Sequence, residues 1–123
     1  MNYPVNLKYA KSHEWVKDIG NGLFEIGISD YAQKELGDIV YVNLPQPGDE
    51  LKAGESFADL ESVKAVSNIL SPVNGTVTEV NEAVVSGPDV INKTPYEAWF
   101  IRAEGNLTDM LLSAEEYEVS LES

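Results

Sequence analysis

The sequence contains no cysteine. That excludes disulfides, thiolate catalysis and cysteine-based zinc sites, so any redox chemistry has to arrive on a cofactor. Histidine occurs once, as His13. Without a second histidine a metal site is not expected, and a surface or structural role is. Basic residues are scarce: 8 lysines and arginines stand against 21 acidic residues, a formal charge of −13. Such a field repels polyphosphates, which argues against nucleic acid, and attracts a partner with a basic docking face. No apolar run approaches the roughly 20 residues that span a bilayer, so no membrane association is expected. Met1-Asn2-Tyr3-Pro4 has neither the basic region nor the apolar core of a secretory signal. A cytoplasmic location is therefore expected, with a trimmed mitochondrial form as the alternative. No nucleophile–base pair, metal spacing or phosphate loop is found, which argues against an enzyme.

What is present is the composition of a folded chain. Of 123 residues, 43% are hydrophobic and 24% charged, enough for one domain spanning 1–123 with a modest core. Strand patterns dominate. Strands are expected at Leu23–Ile28, Ile39–Leu44, Ser56–Glu61, Val66–Leu70, Thr76–Val80 and Ala98–Ala103, with turns at Pro47-Gly48-Asp49 and Asn74-Gly75. Ser29 is placed to cap a short helix over Asp30–Leu36, with Gly37 as its left-handed stop. Ser113-Ala114-Glu115-Glu116 is a capping-box pattern and predicts a C-terminal helix. Many short strands with close-set turns mean a sandwich or a barrel. Trp15 and Trp99 are expected in the packing, and Asp49-Glu50 and Glu115-Glu116 as solvated charge.

A degenerate repeat sits in this β pattern. Gly37, Ile39, Val42 and Asn43 align with Gly75, Val77, Val80 and Asn81. Leu51-Lys52-Ala53-Gly54 aligns in turn with Val84-Val85-Ser86-Gly87. Lys64 falls between the copies, in Glu61-Ser62-Val63-Lys64-Ala65, at the tip of a hairpin between two apolar strands. Val63 and Ala65 offer nothing to pair with its ammonium group. An exposed, unpaired lysine held in one place is what a modifying ligase requires, although tip lysines are common and most carry nothing.

Val63-Lys64-Ala65 followed by Ser71-Pro72-Val73-Asn74-Gly75 resembles the lipoyl-lysine hairpin of the glycine cleavage H-protein family. The likeness extends over nearly the whole chain. It includes Lys8-Tyr9-Ala10-Lys11-Ser12-His13-Glu14-Trp15-Val16, Gly27-Ile28-Ser29-Asp30-Tyr31-Ala32-Gln33 and Leu36-Gly37-Asp38-Ile39-Val40-Tyr41-Val42. Val80-Asn81-Glu82, Val90-Ile91-Asn92 and Pro95-Tyr96 also fit. Val90 stands where the family usually has leucine, and Ala98-Trp99 where it usually has Gly-Trp.

The resemblance implies a mainly β fold: a flattened barrel or sandwich of two quasi-symmetric halves, of the lipoyl/biotinyl-carrier hammerhead type, with short helices. It implies lipoate in amide linkage to Lys64, with Glu61, Ser62, Val63 and Ala65 as the recognised hairpin. The attaching enzyme would be a lipoate ligase or a lipoyl/octanoyl transferase. The implied activity is a shuttle that takes the aminomethyl group of glycine from glycine decarboxylase to aminomethyltransferase, and electrons to dihydrolipoyl dehydrogenase. Ser12, Glu14 and Asn68 are its candidates for docking the arm. Biotin carriers usually show Met-Lys-Met at the tip, and acyltransferase lipoyl domains an acid before the lysine, so Val63-Lys64-Ala65 fits neither. An H-like protein relaying lipoate to other lipoyl domains is the alternative function.

Overall fold

Short strands with one buried face form the framework of this chain. The computed structural model describes residues 3–122; Met1 and Asn2, part of the segment read for a signal, and Ser123 lie outside them. The order is β1 (Lys8–Tyr9), β2 (Glu14–Gly20), β3 (Leu23–Ile28), α1 (Asp30–Leu36), β4 (Ile39–Asn43), β5 (Glu50–Leu51), β6 (Ser56–Ser62) and β7 (Val66–Leu70). Then follow β8 (Val73–Val80), α2 (Glu82–Ser86), α3 (Asp89–Lys93), β9 (Ile101–Leu107) and α4 (Ala114–Glu122).

The strands form two antiparallel sheets, one ordered β1-β2-β3-β9-β8-β5 and the other β4-β6-β7. One buried cluster joins them. Ile26, Val77 and Ile101 of the large sheet share it with Val42, Leu60 and Ile69 of the small one. Both sheets keep open edges, so the architecture is a sandwich and the flattened barrel is not closed. A second cluster of Leu7, Tyr9, Trp15, Ala114 and Tyr117 ties the two ends of the chain together.

The helix signals act as their chemistry requires. Ser29 Oγ accepts the Ala32 N–H at 3.2 Å, capping α1. Gly37 closes it at φ 77 and ψ −160, a positive-φ stop but not a left-handed helical one. In the C-terminal capping box, Ser113 Oγ accepts the Glu116 N–H at 3.1 Å and Glu116 Oε1 accepts the Ser113 N–H at 2.9 Å.

Three expectations need correction. Asn74-Gly75 is not a turn but lies inside β8. There Gly75 faces Gly105 of β9 so closely that a Cβ on Gly75 would stand 1.9 Å from the Glu104 carbonyl oxygen. The glycine permits an approach of two backbones rather than a reversal of one. The strand expected at Ala98–Ala103 runs instead from Ile101 to Leu107. The Ala98 N–H is drawn back to the Thr94 carbonyl, closing a turn after α3. The repeat, finally, divides. Its first segments become β4 and β8, in different sheets, but Leu51 lies on a strand while Val84 lies in helix α2. Both side chains are buried, so similar apolar positions are filled by unlike elements.

Gly75→Ala is expected to destabilise the protein by about 2–3 kcal/mol, because the backbone of β9 cannot yield easily. Gly87→Ala, where a Cβ would meet nothing nearer than 3.5 Å, should stay within about 0.5 kcal/mol of the parent. Urea unfolding of both variants measures this, and equal losses would show that the close approach is not what Gly75 provides.

Candidate functional site

The β6–β7 hairpin ends in a turn organised by one hydroxyl. Ser62 Oγ accepts the N–H groups of Lys64 and Ala65, both at 3.1 Å, while the Ser62 N–H donates to the Ala65 carbonyl at 2.8 Å. Glu61, Val63, Lys64 and Ala65 are exposed and Ser62 is half-buried. Among the described residues, Lys64 makes no ion pair. The tip presents its lysine by fixing the main chain, not by gripping the side chain.

The tip also leans on the body of the protein. The Val63 N–H donates to the Asp38 carbonyl at 3.0 Å. The stem of Lys64 runs over Gly37, where a Cβ would stand 3.4 Å from the lysine Cε. This α1–β4 junction is held by Asn92 of α3. Its Oδ1 accepts the Ile39 N–H at 2.9 Å, and its Nδ2 donates to the Gly37 carbonyl at 2.9 Å and to Gln33 Oε1 at 3.0 Å. Sequence reasoning missed Asn92 as a positioning residue; its place in Val90-Ile91-Asn92 is the only signal it leaves.

Beside the junction lies a cleft of about 240 Å³. Ile28, Ala32, Leu36 and Ile69 supply its apolar lining, and Ser12, His13, Tyr31, Glu35, Ser67 and Asn68 its polar groups. Two of the three expected docking residues, Ser12 and Asn68, are thus brought together, from opposite sides. Ser12 rides on a tight turn in which His13 has φ 82, a conformation that is costly for a residue with a Cβ. Tertiary bonds hold it: the His13 carbonyl accepts the Ser29 N–H at 2.9 Å, and His13 Nδ1 lies 2.8 Å from the Tyr117 hydroxyl. Burial depresses the pKa of His13.

Glu14, the third candidate, does not line this cleft. It is 1% exposed and sits between β2 and β7. One carboxylate oxygen accepts the Ser12 hydroxyl and the other the Leu70 N–H, the latter at 3.1 Å. Burial pushes its pKa from 4.5 up to about 7, against the downward pull of those hydrogen bonds. Glu35, which sequence reasoning passed over, does face the cleft.

An exposed unpaired lysine on a fixed tip, beside a cleft with an apolar floor, suits a long arm with a compact apolar end. The chain matches the family model for the glycine cleavage H-protein over residues 7–123. The chain belongs to the glycine cleavage H-protein family. It is 52% identical over 118 residues to the glycine cleavage system H protein of Lachnoclostridium phytofermentans, covering 92% of this chain and 90% of that one. Against the H protein of Geobacillus kaustophilus it is 50% identical over 125 residues, with 98% of each covered. The crystal structure of a glycine cleavage system H protein from Mycobacterium marinum superposes with a TM-score of 0.91 at 35% identity, covering 98% of this chain and 99% of that one. An H protein is a lipoyl carrier of the glycine cleavage system and not itself a catalyst, so the chain works among that system's enzymes.

The raised pKa of Glu14 makes a pH prediction. Below pH 4.5 the carboxyl is protonated folded or unfolded; above about 7 the native state must bury its charge. The native state binds this proton more tightly, so its contribution to stability is lost as pH rises between those values. Glu14→Gln keeps a neutral acceptor for Leu70 and does not titrate. Relative to the parent, it should therefore gain stability between pH 5 and pH 8 in urea unfolding. A difference independent of pH would mean that Glu14 is charged at little cost.

Proposed function

We propose that the ε-amino group of Lys64 carries lipoate in amide linkage, and that residues 1–123 act as a single lipoyl-carrier domain. The observation that carries this reading is the tip itself: a main chain clamped by Ser62 and Asp38 around an exposed lysine without an ion pair. A lipoate ligase or lipoyl/octanoyl transferase would recognise Glu61, Ser62, Val63 and Ala65 around it. When bound, lipoate supplies a disulfide that takes up the aminomethyl group of glycine and is left as a dithiol to be reoxidised. The protein supplies attachment, reach and shelter.

The three stations are glycine decarboxylase, aminomethyltransferase and dihydrolipoyl dehydrogenase. Each must approach a surface of net charge −13, which favours partners with basic docking faces. Between stations the arm rests in the cleft between Ser12 and Asn68, with Glu14 holding the Ser12 hydroxyl from beneath. The named relatives are bacterial, which favours the cytoplasm as the place of work.

Incubation with lipoate ligase, ATP and lipoate should add one lipoyl group, at Lys64. Lys64→Arg should abolish the mass shift while changing stability by no more than about 0.5 kcal/mol, since an exposed tip side chain contributes little. Modification of Lys52 or Lys93 instead would overturn the assignment. Raising ionic strength should weaken binding to glycine decarboxylase, chiefly through the association rate. An affinity indifferent to salt would leave the acidic surface with no part in docking.

A further inference from the structure

The lysine at the hairpin tip is not held by its own side chain, which is exposed and makes no ion pair among the described residues. Its position is set by the main chain around it, through two separate clamps. One is local: Ser62 Oγ accepts the Lys64 and Ala65 N–H groups and fixes the internal shape of the turn. The other ties the turn to the body of the protein, where the Val63 N–H donates to the Asp38 carbonyl at 3.0 Å. Beyond the Ile39–Ser62 pair of β4 and β6, a turn without this second clamp is free to swing as a unit.

The second clamp is one peptide plane. The Asp38 carbonyl and the Ile39 N–H belong to the same peptide unit, which is rigid and trans, so the two groups point in opposite directions. On one side Asn92 Oδ1 accepts the Ile39 N–H at 2.9 Å; on the other the Asp38 carbonyl accepts the Val63 N–H. Holding the donor end therefore aims the acceptor end, and each bond polarises the peptide in favour of the other. Asn92 Nδ2 donates to the Gly37 carbonyl at 2.9 Å and so holds the preceding peptide unit as well. Gly37, at φ 77, has no side chain to restrict its own backbone. Asn92 is itself anchored: its neighbour Ile91 is wholly buried in the main core, and its Nδ2 also reaches Gln33 Oε1 at 3.0 Å.

We infer that Asn92 is a positioning residue for acylation of Lys64, acting through the Asp38–Ile39 peptide to hold the tip in the conformation a modifying enzyme accepts. This rests on the reading of Lys64 as the lipoylated lysine. In the step concerned, the Lys64 ε-nitrogen attacks the carbonyl carbon of a lipoyl adenylate made from ATP and lipoate. The N–C bond forms, the C–O bond to the adenylate breaks, AMP leaves and the amine gives up a proton to solvent. Asn92 bonds to the junction and not to Lys64. It raises the fraction of carrier molecules whose tip is ready to bind, which lowers KM and leaves kcat alone.

The test pairs native-state hydrogen exchange of the full chain with lipoylation kinetics at varied carrier concentration, using lipoate ligase with ATP and lipoate in excess. In Asn92→Ala the Val63 amide should exchange about threefold to tenfold faster, the scale of one net hydrogen bond. Phe100, whose N–H donates to the Ile26 carbonyl in the core, reports global stability and should change less. Equal acceleration at Val63 and Phe100 would mean that Asn92 only stabilises the fold, and an unchanged Val63 amide that it does not hold the tip. KM for the carrier should rise by the same factor as Val63 exchange, at unchanged kcat. A parent-like KM beside a faster Val63 amide would overturn the role in acylation. Acetylation of Lys64 by N-hydroxysuccinimidyl acetate, which needs no ordered tip, should keep the parent's rate; a slower one would mean that Asn92 alters the nucleophile instead. Asn92→Asp keeps an acceptor for the Ile39 N–H and should lie closer to the parent than Asn92→Ala in both exchange and KM. Equal impairment of the two variants would overturn the relay through the Asp38–Ile39 peptide. A parent protein that takes no lipoyl group on Lys64 would overturn the reading of the site, and that failure shows in the mass whatever the exchange rates.

Discussion

One side-chain amide fixes the geometry on which the lysine depends. Asn92 binds the end of α1, the start of β4 and the side chain of Gln33 at once. The junction it closes offers the Asp38 carbonyl to the hairpin tip and the open face of Gly37 to the lysine stem. A loop that met these needs with backbone alone would have to bury donors and acceptors without partners, which is expensive. The amide carries both donor and acceptor, so a single residue serves both sides of the junction.

The ends of the chain converge on the same region. Tyr117 of α4 places its hydroxyl between Ser29, which caps α1, and His13, on the turn that presents Ser12. Its ring stacks on Tyr9 of β1 at 4.7 Å. The C-terminal helix is therefore part of the wall behind the cleft and not an appendage. Glu14 completes that wall from the other side, where β2 meets β7.

Sequence legibility followed the range of the interactions. Ser29, the Ser113–Glu116 box and the apolar character of β3, β6 and β7 are local signals and survive into the structure. The exposed tip position of Lys64 was legible because its hairpin is closed by neighbours, Ser62 above all. Asn74-Gly75 misled because the same dipeptide serves a tight turn or a close approach of strands, and only the partner, Gly105, decides between them. Helix α2 is announced by Asn81 and Glu82, yet its apolar residues Val84 and Val85 read equally well as strand. Glu14 was singled out by its place in the family motif, but its burial was not legible, since that depends on pairings across distant segments. Asn92 draws its role entirely from residues far from it in the chain.

The hairpin tip is completed by the Asp38 carbonyl and, through that junction, by Asn92 on a helix formed later in the chain. A peptide spanning β6 and β7 alone lacks both supports and would sample many tip conformations. The conformation of the tip therefore depends on segments far from the hairpin in the chain. An enzyme that modified Lys64 as proposed would thereby meet an ordered acceptor only on folded copies of the chain.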